Sequence, residues 1–339
     1  MLALITGATG FLGSHVLRRW LAGSHAARVL YRSPSKLRLI DDLSFEAVAG
    51  DLDDAARLEA ACAGCEVVFH IAAKADYWKD SDREALWRIN VDGTRNVLAA
   101  AQKAGVARVV FTSSASAIGI RPSQELADED TAFNLRPQQF YYAHTKRQAE
   151  AVVAEFVADG LDVVTLNPTV IIGPGDLNAI SGSFVIETAR WQWLVPSSSG
   201  GLAVIDVRDV ARAHVAAVEK GHPGERYILN AANLNYSEFF RLIARACGVR
   251  PPLLNMPDWL LEPTARFIEG VRHFGISTPM DANQARLGSE HVYFDGGKAE
   301  RELCAAQIDI ETSLRETYEW YARNGYIRHS WLTRLIGWL

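Results

Sequence analysis

The sequence predicts an α/β fold, in which a doubly wound parallel sheet is joined to a smaller, mostly helical C-terminal domain. Three observations predict it. Short apolar segments typical of strands alternate with helical segments, a glycine-rich turn joins the first strand to the first helix, and polar side chains follow the ends of several strands. Strands that alternate with helices form parallel sheets covered on both faces. The 339 residues suffice for one large domain or two closely associated ones.

The composition is that of a globular protein with a sizeable core, and it narrows the function classes. Hydrophobic residues make up 49% of the chain, and the net charge is −5. No basic run or stripe is present, so nucleic-acid binding is not expected. No apolar run is long enough to cross a bilayer, and the apolar first residues lack the charged segment of a signal peptide. A cytoplasmic protein without an integral membrane segment is therefore expected.

Four cysteines, at positions 62, 65, 247 and 304, raise the question of a metal or redox site. Cys62 and Cys65 form a C-x-x-C pair, but no second pair follows at the spacing of a zinc site. We expect two small residues at a helix end, reduced thiols and no metal.

The first strand, turn and helix lie in the stretch "LALITGATGFLGSHVLRRWLA". Leu2–Ile5 form a short apolar segment, typical of a buried strand. Three glycines follow, Gly7, Gly10 and Gly13, and apolar residues then recur at helical spacing. Glycines at this spacing let backbone N–H groups and a helix N-terminus approach a pyrophosphate. The strand–turn–helix context is the one that the motif requires. A Rossmann-type dinucleotide site is therefore predicted here.

The second strand, "ARVLYRS", ends at Arg32, where dinucleotide folds place the residue that contacts the ribose. An acidic residue there binds the 2′-hydroxyl of NAD, but no acid follows until Asp41. Because an arginine pairs bidentately with phosphate oxygens, Arg32 favours NADP(H), with NAD(H) as the alternative. Asp51 and Leu52 end the third strand and are predicted to border the adenine ring.

The alternation of strands and helices continues along the chain. Glu66–Ala73 form a predicted buried strand, and Asn90–Gly105 a helix that ends at its glycine. A strand with a polar tip, "ARVVFTSSASAIG", a helix beginning "YYAHTK" and a strand in "DVVTLNPTVIIGPGD" follow. Ligands bind beyond the carboxyl ends of such parallel strands. The polar residues at these predicted ends are Ser113, Ser114, Ser116 and Asn167.

The helix "YYAHTKRQAEAVV" carries the most specific chemical signal. Tyr142 and Lys146 are four residues apart and share one side of a helix, whereas Tyr141 is expected to point elsewhere. A nearby ammonium lowers the pKa of a phenol from its ordinary value of about 10. A tyrosine so placed can exchange a proton with a substrate oxygen near neutral pH. His144 is expected to face away from Tyr142, and His70 to be a hydrogen-bonded core residue.

Taken in order, six motifs resemble the extended short-chain dehydrogenases/reductases. They are "TGATGFLG", "VVFHIAA", "NVDGTRNVL", "FTSSASAIG", "YYAHTK" and "LNPTVIIGPGD". The resemblance runs from Thr6 to about Trp320 and is closest to the dihydroflavonol 4-reductase-like branch of the NAD-dependent epimerase/dehydratase family. That branch includes proteins named hopanoid-associated sugar epimerases.

The resemblance implies a role for each matching residue. Tyr142 would be the general acid/base, and Lys146 would lower its pKa and bind the nicotinamide ribose. Ser114 would hydrogen-bond the reacting oxygen, with Ser116 as the runner-up, and Asn90 would support the active-site backbone or a proton-relay water. The motifs and the resemblance together assign cofactor binding to Gly7, Thr9, Gly10, Phe11, Leu12, Gly13, Arg32, Asp51, Leu52, Ala72, Ala73, Asn90, Lys146 and Pro168.

Departures from the family patterns bear on the reaction. Sugar-nucleotide dehydratases carry an Asp-Glu pair where this chain has Ala115 and Ser116. Sugar-nucleotide epimerases often carry an arginine that clamps the diphosphate, and Leu202 stands at that position. Losing it removes a charge-assisted contact. Three other arginines could supply a substitute contact: Arg190, Arg208 and Arg212.

The predicted substrate side is rich in large apolar residues. They are Trp191, Trp193, Trp259, Leu260, Leu261 and Phe267. Core packing explains each of them equally well, but together they favour an apolar or aromatic carbonyl compound over a sugar nucleotide. The apolar C-terminal tail, residues 331–339, is expected to pack on its own domain, with a membrane surface or a partner subunit as alternatives.

The resulting hypothesis is an NADP(H)-dependent oxidoreductase that reduces a ketone or aldehyde to an alcohol. The alternatives are a nucleotide-sugar epimerase with tightly bound NAD(P) and a non-catalytic NADP-binding regulator. The predicted domains are residues 1–170 for the cofactor, with 203–222 returning to them, and 171–330 for the substrate. The resemblance implies either a monomer or a homodimer that pairs through the helices near Asn90–Gly105 and Tyr142–Val157.

Overall fold

The structure is a computed structural model that describes residues 1–75, 82–275 and 282–327. Its strands are β1 (Leu2–Thr6), β2 (Ala26–Tyr31), β3 (Glu46–Ala49), β4 (Val67–His70), β5 (Arg108–Thr112), β6 (Val163–Pro168), β7 (Val170–Ile172), β8 (Gly201–Asp206), β9 (Arg226–Leu229), β10 (Ala232–Asn235) and β11 (His291–Val292). Seven of them form one sheet in the order β3-β2-β1-β4-β5-β6-β9. All pairs in this sheet are parallel, which confirms the predicted Rossmann-type sheet.

Helices cover both faces of this sheet. The described helices are α1 (Phe11–Ala22), α2 (Ala55–Cys62), α3 (Arg83–Trp87), α4 (Gly93–Lys103), α5 (Tyr141–Ala158), α6 (Ser183–Trp191), α7 (Val207–Lys220), α8 (Tyr236–Cys247), α9 (Leu261–His273), α10 (Ala282–Arg286), α11 (Gly297–Glu302) and α12 (Ile310–Arg323). A π-helical turn, Arg88–Asp92, joins α3 to α4.

Two apolar cores follow from the alternation of side chains along the strands. Ile5 of β1 packs with Trp20 of α1 and Val210 of α7 on one face. Leu4, the preceding residue, packs with Val97 of α4 and Val152 of α5 on the other face. Because both faces are covered, the middle of each central strand is apolar on both sides, as is usual in parallel sheets.

A second, smaller unit completes the molecule. Its sheet contains β7, β8, β10 and β11, with β8 at the centre, and α6, α8 and α12 pack against one another beside it. Of the segment 203–222 that was predicted to return to the cofactor domain, residues 203–206 lie in β8 of this second sheet. Residues 207–220 form α7, which packs on α1, and β9 then joins the large sheet.

The large apolar residues predicted on the substrate side differ in how far they are buried. Trp259 and Phe267 are about 70% exposed, so they do not belong to the core, whereas Leu261 is buried. The side chain of Trp193 and the tail at 331–339 lie outside the described residues. Across the ranges that the structure covers, no helix is long and apolar enough to cross a membrane.

Candidate active site

One large cavity, of about 1370 Å³, lies at the carboxyl ends of the large sheet and extends into the second unit. It opens beside β1 and β4, where the strand order reverses direction, the usual ligand position in such sheets. We call the walls from residues 6–13, 30–33, 50–52 and 71–75 the glycine-turn half. The walls from residues 118–140 and 168–294 are the apolar half. Ser114, Tyr142 and Lys146 lie on elements between the two.

The glycine-turn half is shaped by close backbone approaches. Gly7 has a φ of +77°, and a Cβ atom there would lie 2.6 Å from the backbone nitrogen of Ala72. A Cβ atom on Gly13 would lie 2.1 Å from the carbonyl oxygen of Gly7. α1 begins directly after Gly10 without a side-chain cap, so its first N–H groups remain available to an anion. This cradle, which side chains would fill, fits the pyrophosphate of a nicotinamide dinucleotide.

Every predicted cofactor residue except Asn90 lines the cavity. Arg32 has a side chain that is 65% exposed, and its Nη1 lies 3.8 Å from Oδ2 of Asp51. Asp51 also accepts a hydrogen bond of 2.7 Å from the backbone N–H of Leu52. An exposed guanidinium held by one long ion pair remains able to reach a phosphate, so the NADP(H) preference stays a prediction.

Asn90 is placed behind the wall rather than in it. Its Oδ1 accepts from the backbone N–H of Lys74 at 2.8 Å, and its Nδ2 donates to the Lys74 carbonyl at 3.0 Å. Nδ2 also lies 3.0 Å from Oγ1 of Thr145 in α5. Asn90 therefore ties the backbone of the cavity wall to the helix that carries Tyr142, one of the two roles considered for it.

The hydrogen bonds of Ser114 and Ser116 distinguish the two residues as candidates for binding the reacting oxygen. Ser114 Oγ accepts from the backbone N–H of Ser116 at 3.2 Å and from the Ser116 hydroxyl at 2.9 Å. With both acceptor positions used, the proton of the Ser114 hydroxyl is the one that it can donate to a ligand. Ser116 donates to its neighbour instead, so the geometry favours Ser114 over its runner-up.

Tyr142 and Lys146 are both buried and both line the cavity. Lys146 Nζ donates to the carbonyl oxygen of Thr112 at 2.8 Å and lies 5.3 Å from the ring centroid of Phe111. Burial lowers the pKa of Lys146 to about 8, while the charge of Glu150 acts in the opposite direction. The pair is thus a phenol beside a cation that titrates near neutral pH.

The neighbouring aromatic and imidazole side chains have other partners. Tyr141, the first residue of α5, also borders the cavity, contrary to expectation. The guanidinium of Arg83 lies 5.0 Å from its ring. His144 faces Trp87 and Tyr141 instead of the cavity. His70 is a core residue, bonded to Oγ1 of Thr6 at 2.9 Å, and burial lowers its pKa to about 3.

The three arginines considered as diphosphate ligands lie outside the cavity wall. Arg190 pairs with Glu187 at 3.2 Å. Arg208 pairs with Asp206 at 2.8 Å, and Arg212 donates to the carbonyl oxygen of Ala305. Leu202, at the position of the clamping arginine, is buried and lines the apolar half.

Sequence reasoning missed Glu150, which is buried next to this site. Its carboxylate accepts hydrogen bonds from Ser113 and Asn167 and forms an ion pair with Arg226. Its spacing was an available signal. Tyr142, Lys146 and Glu150 follow one another at intervals of four residues, so all three share one side of the helix. The four cysteines are free thiols, and the described residues contain no cluster suited to a metal ion.

Comparisons with known proteins agree with this arrangement. The profile of the NAD dependent epimerase/dehydratase family matches residues 3–231. A putative dihydroflavonol 4-reductase of Synechocystis is 34% identical over 330 residues, which cover 96% of this chain and 95% of that protein. Sterol demethylase protein B of Methylococcus capsulatus is 31% identical over 333 residues, covering 96% and 100%.

A solved structure extends the match to three dimensions. The crystal structure of gox2253 superposes with a TM-score of 0.84 at 32% identity, and the match covers 96% of this chain and 99% of that one. The family profile spans more than half of the sequence, and the relatives span almost all of it. The chain belongs to the NAD-dependent epimerase/dehydratase family of extended short-chain dehydrogenases/reductases, which are NAD(P)-dependent oxidoreductases, epimerases and dehydratases acting on CH–OH groups.

Proposed function

We propose that this protein is an NADP(H)-dependent reductase that converts the ketone or aldehyde group of an apolar or aromatic compound to an alcohol. The observation that carries the proposal is the character of the apolar half. Its wall includes Ile118, Phe140, Phe184, Leu202, Phe240 and Phe294. Arg190, Arg208 and Arg212, which could replace the missing diphosphate clamp, are paired outside the cavity wall.

The size of the cavity supports two occupants. About 1370 Å³ exceeds the roughly 300–1,000 Å³ typical of a pocket for one small molecule. A dinucleotide along the glycine-turn half leaves the apolar half for the substrate. Burial of apolar substrate surface there is favourable by about 25 cal/mol per Å².

When bound, the dinucleotide supplies the hydride. The residues of this chain bind the carbonyl and move the proton. Ser114 donates its hydroxyl proton in a hydrogen bond to the carbonyl oxygen, where negative charge develops. Tyr142 transfers its phenolic proton to the same oxygen as general acid. Lys146 stabilises the phenolate that remains, and another N–H of its ammonium would donate a hydrogen bond to the ribose of the cofactor.

The same three residues would also serve a nucleotide-sugar epimerase with tightly bound NAD(P), which the family description includes. An epimerase returns its cofactor to the starting oxidation state in each cycle, so it shows no net redox change. A non-catalytic NADP-binding regulator would show neither activity. It is disfavoured because Tyr142 and Lys146 are both present and both face the cavity.

The test is NADPH oxidation by the purified protein with a panel of aromatic and aliphatic ketones and aldehydes, with NADH in parallel. The proposal requires steady NADPH consumption with at least one compound. Cofactor that survives purification, no consumption, and interconversion of a nucleotide sugar would replace it with the epimerase.

Replacing Tyr142 by phenylalanine removes the proton donor and leaves the cavity shape intact. We expect the rate to fall about 10²- to 10⁴-fold with little change in NADPH affinity, measured by fluorescence titration. Tyr318→Phe, on α12 and away from the cavity wall, is the control. Full turnover by Tyr142→Phe would contradict the assignment.

We further infer a cytoplasmic protein that acts on a small molecule. A homodimer would use α4 and α5, whose outer surfaces are joined by the pair Arg95 and Glu155. Sedimentation equilibrium distinguishes this dimer from a monomer.

A further inference from the structure

Glu150 is a buried carboxylate that the mechanism above does not use. Ser113 Oγ donates to its Oε1 at 2.5 Å, and Asn167 Nδ2 donates to the same oxygen at 2.6 Å. Arg226 Nη1 lies 3.0 Å from Oε2, and Arg147 Nη1 lies 3.5 Å from it. Four donors, two of them cationic, therefore surround its two oxygens, and charge-assisted hydrogen bonds of this kind are the strong ones.

These donors come from separate parts of the sheet. Ser113 follows β5, Asn167 lies in β6, and Arg226 begins β9. The carboxylate therefore joins α5 to three neighbouring strands of the large sheet. Arg226 is itself fixed on its other side by the backbone carbonyl of Glu129, so the ion pair is held from both ends.

The network lies directly beside Lys146. Glu150 stands four residues after Lys146 on α5, so the two side chains leave the same face of the helix. Lys146 bonds to the carbonyl oxygen of Thr112, and the next residue, Ser113, bonds to Glu150. Consecutive residues of one strand end thus hold the cation and the anion.

Other groups near Lys146 do not supply this charge. His70 of β4 faces it, and burial together with the nearby ammonium lowers the pKa of His70 to about 3, so the imidazole is neutral. Tyr142 precedes it on α5, and Phe111 presents an uncharged ring. Burial pulls the pKa of Lys146 down, and Glu150 is the group that raises it.

We propose that Glu150 is a positioning residue of the active site: its contacts with the ends of three strands fix a negative charge one helical turn from Lys146, and that charge keeps the buried ammonium in its charged form. The relevance to turnover rests on the proposed function. The effect on Lys146 does not, and it is measurable without a substrate.

The direct test is titration of Lys146 by NMR in protein labelled with ¹³C at the lysine Cε position. The resonance that disappears in Lys146→Arg identifies it. In Glu150→Gln, which keeps the side-chain shape, we expect the titration midpoint to fall by about one pH unit, the lower end of the effect of a nearby opposite charge. Glu155→Gln, an exposed carboxylate on the same helix, should leave the midpoint unchanged.

A second variant separates charge from structural loosening. Arg226→Gln removes the closer of the two cations that offset the charge of Glu150, so the Lys146 midpoint should rise. A purely structural network would move the midpoint in the same direction in both variants, because both lose an ion pair. Shifts of the same sign, or no shift in Glu150→Gln, would overturn the proposal.

The pH dependence of turnover tests the role of Glu150 independently once a substrate is known. The pH dependence of kcat/KM should move with the Lys146 midpoint in Glu150→Gln, while KM for NADPH at pH 6 stays near the wild-type value. A shifted NMR midpoint in a protein that oxidises no NADPH with any carbonyl would sustain the role of Glu150 and reject the reductase. A shifted midpoint with an unshifted kcat/KM profile would reject the catalytic part of the proposal alone.

Discussion

The glycine-turn half and the apolar half of the cavity are built in different ways. The first is backbone packed on backbone: Gly7, Gly10 and Gly13 bring the turn against the start of α1 and against Ala72. The second is made of side chains from segments scattered over residues 118–294. A change in the first alters the path of the chain, whereas a change in the second alters only the shape and polarity of a wall. The halves should therefore respond to mutation differently, the first through folding and cofactor binding and the second through substrate affinity.

The largest effect is expected from Gly13→Ala, which places a methyl group 2.1 Å from the Gly7 carbonyl oxygen. Overpacking of this kind costs about 3 kcal/mol, so the free energy of unfolding and NADPH affinity should both fall. Gly270→Ala, in α9 with nothing within 4 Å of the new atom, should instead stabilise by about 0.5–1 kcal/mol. Urea denaturation measures both, and an unaffected Gly13→Ala would end the distinction between the halves.

Arg32→Asp tests the charge at the other end of the glycine-turn half. If Arg32 binds a 2′-phosphate, the affinity for NADPH should fall about 10- to 100-fold, the equivalent of a charge-assisted hydrogen bond of about 1.5–3 kcal/mol. The affinity for NADH should change little. Arg19→Asp, on the exposed side of α1, is the control, and equal losses for both cofactors would remove the basis for NADP(H).

Buried histidines make the stability of the large sheet sensitive to acid. Burial lowers the pKa of His70 to about 3 and that of His214 to about 4, below the 6.5 of an unfolded histidine. The unfolded state therefore binds protons first, and stability present above pH 6.5 is lost as the pH falls toward 4. At pH 5.5 the loss is about 1.4 kcal/mol per histidine. Urea unfolding at several pH values should show a flatter slope for His214→Gln and an unchanged one for His222→Gln, whose histidine is exposed.

The smallest effect is expected in the apolar half. Trp191 lines the cavity and is 41% exposed, so Trp191→Ala removes part of one wall. KM for an apolar carbonyl should rise about fivefold, or about 1 kcal/mol, with NADPH affinity unchanged. Trp259→Ala, which lies outside the cavity wall, provides the matched comparison, and a loss of NADPH affinity in Trp191→Ala would show that the halves are coupled.

The same contrast explains what the sequence could predict. The glycine triplet and the Tyr142–Lys146 pair are recognisable because the function proposed for each depends on spacing within one turn or one helix. Glu150 was missed because its partners come from three strands, and only the folded chain brings them together. Asn90 has the right neighbours in sequence, but its bonds to Lys74 and Thr145 depend on tertiary packing.

Exposure of the second unit was equally hard to predict. Helical spacing of apolar residues does not show whether they face a core or the solvent, because it does not show which other elements pack against that face. Trp259 and Phe267 were plausible core or cleft residues, and the structure leaves both exposed.

The return of α7 and β9 to the large sheet affects how the protein is made. Val210 of α7 and Tyr227 of β9 are part of the core that covers Ile5 and Trp20. A nascent chain that has left the ribosome only as far as residue 170 carries this face of its first six strands covered only in part, by α1. Roughly two thirds of the polypeptide must emerge before the N-terminal layer can close, so synthesis passes through a long interval in which an apolar sheet face is open to chaperones or to aggregation.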